Sequence, residues 1–98
     1  MTLRYSVRAK AQLLAIHEYL SEHGNPDAAA RIGARIREAV EVLRNFPLAG
    51  RPGRPGRVAG TREWVVRQLP YVIVYEVGIA ARDEVMILGV FHVRQRRP

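Results

Sequence analysis

The chain contains no cysteine. Neither a disulfide framework nor a thiolate metal site is open to it, which fits a reducing compartment. No apolar run approaches the roughly 20 residues that a membrane-crossing helix needs. The opening MTLRYSVRAKAQ lacks the continuous apolar core of a signal peptide, so the expectation is a cytoplasmic protein with no membrane partner. Motifs of cofactor chemistry are missing as well. There is no Walker loop, nucleotide-binding glycine pattern, nucleophile elbow or paired carboxylate site, and Gly53-Arg54-Pro55-Gly56 lacks the strand-then-helix context of a phosphate loop. His17, His23 and His92 share no metal-ligand spacing, so neither a metal nor a cofactor is expected. Acidic residues are scarce too, nine against sixteen Lys and Arg.

What is present suits one globular domain spanning 1–98, with 48% hydrophobic and 26% charged residues. So short a chain supports a single thin core. Its charge is uneven. Residues 1–50 carry seven Lys and Arg against five Asp and Glu; residues 51–98 carry nine against four. A basic second half points to an anionic partner, nucleic acid or acidic protein. Fifteen of the sixteen cations are Arg, a bias that a GC-rich genome would also produce.

Thr2 to Val7 alternates, with Leu3, Tyr5 and Val7 on one face, and reads as a short half-buried strand. From Arg8 the period becomes helical, Ala9, Leu13, Ile16 and Leu20 forming one stripe that stops at Gly24. Asn25-Pro26-Asp27 then opens a second helix as cap, first-turn proline and dipole-matched acid. Its apolar face is Ala29, Ile32, Ile36, Ala39, Val40 and Leu43, closing at Phe46, and Arg37 with Glu41 is a plausible surface pair. The short link makes the two helices an antiparallel hairpin. Residues 47–60, with three prolines and four glycines, predict a loop without regular structure, functional or a solvated spacer. Thr61–Leu69, Tyr71–Val77 and Glu84–Val93 read as a three-strand antiparallel meander ending in a basic tail. Helices on one face of that sheet give an α+β domain of two layers.

Several residues carry two readings. His92 alternates with Met86, Leu88 and Val90, which makes a satisfied core histidine the favoured reading over a catalyst. Tyr71 and Tyr75 share a face with Ile73 and Val77 and predict core packing with satisfied hydroxyls, ahead of a base-stacking platform. Trp64 is either an inward anchor or an interface hot spot.

In its order and spacing, the chain resembles the ParE/RelE superfamily, the toxins of type II toxin–antitoxin modules. The resemblance runs through the short strand, the helical hairpin, the loop ending in Gly60-Thr61-Arg62-Glu63, then Pro70-Tyr71-Val72-Ile73-Val74-Tyr75 and Val90-Phe91-His92-Val93-Arg94. It covers essentially the whole chain. RelE-like members are ribosome-dependent ribonucleases. Two of their polar site groups fall at Val72 and Val93 here, and valine neither moves a proton nor steadies a phosphorane. Arg67, His92 and Arg94 are what a ribonuclease reading retains. ParE-like members bind DNA gyrase and stall it with its DNA broken, which needs no catalytic group. The resemblance therefore implies a ParE-like gyrase inhibitor, with Trp64, Arg94, Arg96 and Arg97 as target-binding residues. It also implies a cognate ParD-like antitoxin in a hetero-oligomer, seated on small and apolar helix positions around Ala11, Leu14, Ala15 and Ala28. The alternatives are a RelE-like enzyme acting on ribosome-bound mRNA and a non-toxic basic binding module.

Overall fold

The computed structural model describes residues 1–52, 60–78 and 83–95. Its elements are β1 (Thr2–Tyr5), α1 (Val7–His23), α2 (Pro26–Asn45), β2 (Arg51–Pro52), β3 (Thr61–Val65), β4 (Tyr71–Val77) and β5 (Glu84–His92). They build an α+β fold in two layers, a helical hairpin on a five-stranded sheet of order β1-β5-β4-β3-β2. The meander is antiparallel as expected, and β1 joins it in parallel beside β5.

Local chemistry accounts for the helix starts. Asn25 accepts a hydrogen bond from Ala28 N at 2.8 Å and Pro26 takes the first helical position. The first strand is shorter than its alternation suggested, because Ser6 caps α1. Its hydroxyl accepts from Ala9 N at 3.0 Å and donates to the Leu88 carbonyl at 2.9 Å. A cap of this kind is worth about 1 kcal/mol, and it turns Val7 out to solvent as a helical residue.

Ala9, Ile36, Ala39, Val40 and Leu43 from the helices meet Val66, Ile73, Tyr75, Val85, Ile87 and Val90 from the sheet side. Phe46 does not close this core: α2 ends at Asn45, and Phe46 is 66% exposed at the C-cap. Glu41 pairs with Arg44 at 3.4 Å rather than with Arg37.

A bulge decides the rest of β5. Tyr75 faces Ile87 while Val74 faces Gly89, so two steps on β5 match one on β4. Side chains alternate across a strand, and the extra residue reverses the alternation. Val85 and Ile87 before it, and Val90 after it, thereby all reach the helix-side core. His92 shares a face with Val90 but not with Met86 and Leu88, which corrects the simple alternation drawn from the sequence.

The Pro/Gly loop is more ordered at its start than composition implied. Arg51 and Pro52 pair with Glu63 and Arg62 as an edge strand, where a proline costs no ladder bond. Tyr75, completely buried, fastens this segment: its hydroxyl accepts from Gly50 N at 2.8 Å and donates to the Pro47 carbonyl at 2.7 Å. Arg62 adds a bond to the Gly50 carbonyl at 2.7 Å. Burial pushes the Tyr75 phenol above its ordinary 10.0, while the Gly50 contact and Arg62 pull it back in part. The unfolded chain therefore loses this proton first. The Tyr75 contribution is complete below about pH 10 and falls away as pH rises through the folded value. Tyr75→Phe should cost about 1–3 kcal/mol at pH 7, read by urea unfolding. It should also lessen the drop in stability between pH 8 and pH 10.5; an equal drop in both chains would refute the assignment.

The sheet face away from the helices carries Val72, Val74 and Phe91 beside two buried acids. Arg51 Nη2 lies 3.2 Å from Glu63 Oε1, and Arg4 Nε lies 3.2 Å from Glu84 Oε1. The second contact is a charge pair off the hydrogen-bonding line, since Glu84 Oε1 makes no directed bond.

Candidate functional site

The β3–β4 turn and the end of β5 meet at one end of the sheet. Val66 N donates to the Tyr71 carbonyl at 2.9 Å and closes the turn, and Val93 N donates to the Pro70 carbonyl at 2.8 Å. Gln68 sits in the left-handed region at φ 65°, unusual for a residue with a side chain, and Arg35 Nη1 holds its Oε1 at 3.0 Å. Arg67 and Arg94, both exposed, are thus presented on adjoining turns.

His92 lies between them, half-buried and paired in register with Tyr71. The two rings meet edge to face, 5.9 Å apart at 80°. His92 Nδ1 accepts from Arg94 N at 3.1 Å, which places the proton of the neutral ring on Nε2. Its backbone N–H is taken by Gln95 Oε1 at 2.6 Å. The imidazole therefore closes a turn. Burial, then the neighbouring Tyr19, raise the Tyr71 pKa above 10.0 and keep that phenol protonated. This leaves it an ill-suited base at neutral pH.

The two valines singled out from the sequence differ in exposure. Val72 is 2% exposed on the face opposite the helices, and Val93 projects to solvent. Among the described residues no cluster of three metal-ligating side chains exists.

Trp64 pairs with Ile73 and packs inward against the core, beside Ala39, Val42 and Val66 in a cavity of about 470 Å³ whose rim carries Arg35 and Arg67. It is half-buried and serves as an anchor of the sheet on α2. Arg96 and Arg97 lie outside the described residues. Ala11, Leu14 and Ala15 are exposed on the outer side of α1, and Ala28 is half-buried at the start of α2. Val7 extends the same apolar band of α1. Behind it, a cavity of about 260 Å³ separates Leu13, Ile16 and Leu20 of α1 from Ala29, Gly33 and Ile36 of α2.

One grouping escaped the sequence reading. Tyr19 and His23, one turn apart on α1, stack with centroids 4.4 Å apart and planes at 19°. Their spacing of four was the available signal.

A two-layer α+β fold with this strand order and basic residues at one end of the sheet is the architecture of RelE/ParE superfamily toxins. The model of the family described as ParE toxin of type II toxin-antitoxin system, parDE, matches residues 3–97. The chain belongs to this ParE toxin family. "Putative toxin Y4kP" of Sinorhizobium fredii is 44% identical over 96 residues, 98% of this chain and 92% of that protein. Among solved structures, the chromosomal ParDE system from P. aeruginosa aligns with a TM-score of 0.78 at 27% identity, covering 94% of this chain and 95% of that one. The RelBE2 toxin–antitoxin complex from Mycobacterium tuberculosis aligns at 0.63, also 27% identical, covering 93% and 95%. The YoeB/ParE toxin from Agrobacterium tumefaciens shares the fold at 0.66 and 16% identity, covering 94% and 98%.

Proposed function

We propose that this toxin acts by binding rather than by bond cleavage. Its target is DNA gyrase, which it stalls through Arg94 at the end of the sheet and the two arginines that follow in the sequence, Arg96 and Arg97. A ParD-like antitoxin neutralises it in a cytoplasmic hetero-oligomer by covering the apolar band around Ala11, Leu14, Ala15 and Ala28. The observation that carries the reading is the pair of valines. Val72 is sealed from solvent, and His92 has one ring nitrogen committed to the Arg94 backbone, so among the described residues neither valine position offers a proton carrier to a phosphodiester. Trp64, packed inward, is left out of the target-binding set.

A second reading has its own support. Arg67, His92 and Arg94 do gather at one end of the sheet, as a RelE-like messenger-RNA endoribonuclease would use them. The two separate in parallel assays of the purified chain. Gyrase supercoiling should be inhibited with cleaved DNA accumulating, and mRNA in a translating extract should stay intact. Transcript scission that disappears in His92→Ala would overturn the proposal. A chain whose induced expression leaves growth unchanged would instead be a basic binding module without toxicity.

A further inference from the structure

The proposed function makes no use of the cavity of about 260 Å³ between the two helices. Apolar side chains of α1 and α2 form its body, and Tyr5 of β1 reaches it from the sheet. His17 and Arg37, both exposed, stand at its mouth. Among the described residues no carboxylate lines it, so the charge it presents is positive. Gly33 of α2 keeps the space open. A mid-helix glycine costs about 1 kcal/mol of propensity against alanine, and the packing here does not require one. A Cβ added at Gly33 would meet only Arg37 Nη1, at 3.3 Å. The same distance fixes the guanidinium beside Gly33, on the cavity wall. Arg37 is also uncommitted. Glu41, one turn along α2, lies 3.4 Å from Arg44 instead, and Arg37 forms no ion pair among the described residues.

Protein interiors are close-packed, and a void of this size is ordinarily filled by side chains. Here a glycine withholds the side chain that would fill it, and a free cation waits at the opening. An apolar body with a few placed polar groups is the pattern of a small-molecule site. We propose that this cavity binds a small apolar monocarboxylate of the arylalkanoate kind, its ring among Leu13, Ile16 and Ile36 and its carboxylate on Arg37. The size fits. An apolar cavity of about 150 Å³ takes benzene, so this one has room for a ring with a short chain. An amine would face the guanidinium, and a dicarboxylate would hold its second charge against apolar walls. A neutral arene would leave Arg37 unused.

The test titrates the purified toxin with 3-phenylpropionate, 3-phenylpropanol and acetate and follows its backbone amide resonances. The aryl acid should shift Ile16, Gly33 and Arg37 saturably, and acetate should not saturate. The alcohol should bind about 5- to 20-fold more weakly than the acid, for want of the charged hydrogen bond at a partly exposed site. Arg37→Gln should bring the acid down to the affinity of the alcohol. Gly33→Leu, which fills the space with a good helix former, should melt no lower than the parent and lose the saturable shift. Arg37→Gln leaves the cavity itself intact, so it decides the matter should Gly33→Leu fail to fold. An alcohol that binds as tightly as the acid, or indifference to Arg37→Gln, would overturn the proposal. So would undiminished binding by folded Gly33→Leu. No binding of the acid, with Gly33→Leu weakening antitoxin affinity instead, would give the space to an antitoxin side chain and overturn it too. Gyrase inhibition is scored separately, so failure of either reading leaves the other standing.

Discussion

Gly50→Ala is expected to destabilise the chain by about 2–4 kcal/mol, from overpacking and a lost hydrogen bond. A Cβ at Gly50 would overlap the Tyr75 hydroxyl, and it would lie 2.7 Å from Tyr75 Cε1 and 2.9 Å from the Glu63 carbonyl oxygen. None of these can retreat cheaply. The Tyr75 ring is buried and tied at both sides of its hydroxyl, and the Glu63 carbonyl belongs to the β3 backbone. Gly33→Ala is the control. There the new Cβ meets only the mobile end of Arg37, at 3.3 Å, and replacing a mid-helix glycine gains about 1 kcal/mol of propensity. Urea unfolding of both variants should move in opposite directions. A Gly50→Ala chain as stable as the parent would show that Tyr75 does not hold this loop in place.

Removing residues 94–98 is expected to abolish growth arrest while leaving the fold and antitoxin binding in place. The last core residues of β5 are Val90 and Phe91, and Arg94 and Gln95, the described residues lost on truncation after Val93, are both exposed. Truncation does remove Arg94 N–H from His92 and the Gln95 side chain from the His92 backbone. Exposed bonds of that kind contribute about 1 kcal/mol each. The full-length triple variant Arg94→Ala, Arg96→Ala, Arg97→Ala keeps the turn and tests charge alone. Both chains should melt near the parent temperature and co-purify with antitoxin, yet permit colony formation. Growth arrest by either folded variant would remove the basic end of the sheet from the mechanism.

Periodic and capped segments were legible without coordinates. Asn25-Pro26 marked the start of α2 because cap chemistry is local, and Tyr71–Val77 was delimited by Pro70 and Gly78. Ser6 was missed as a cap because Thr2 to Val7 also satisfies a two-residue period; a bond from its hydroxyl to Leu88, distant in sequence, settles the matter. The Arg37–Glu41 pair obeyed helical spacing, yet Glu41 turns to Arg44. The placement of His92 failed for one reason: an inserted bulge residue cannot be read from an alternation that runs apolar on both faces.

Composition, period and cap residues by themselves determined two helices, a meander and a basic C-terminal half, since each follows from composition or from interactions within a few residues. Tertiary contact alone decided that β1 lies parallel to β5, that Tyr75 fastens the start of the loop, and that Trp64 turns inward. It also decided that Tyr71 of β4 meets His92 of β5 edge to face. Those pairings join residues dozens of positions apart, and no pattern within either segment specifies what will face it once the sheet closes under the helices.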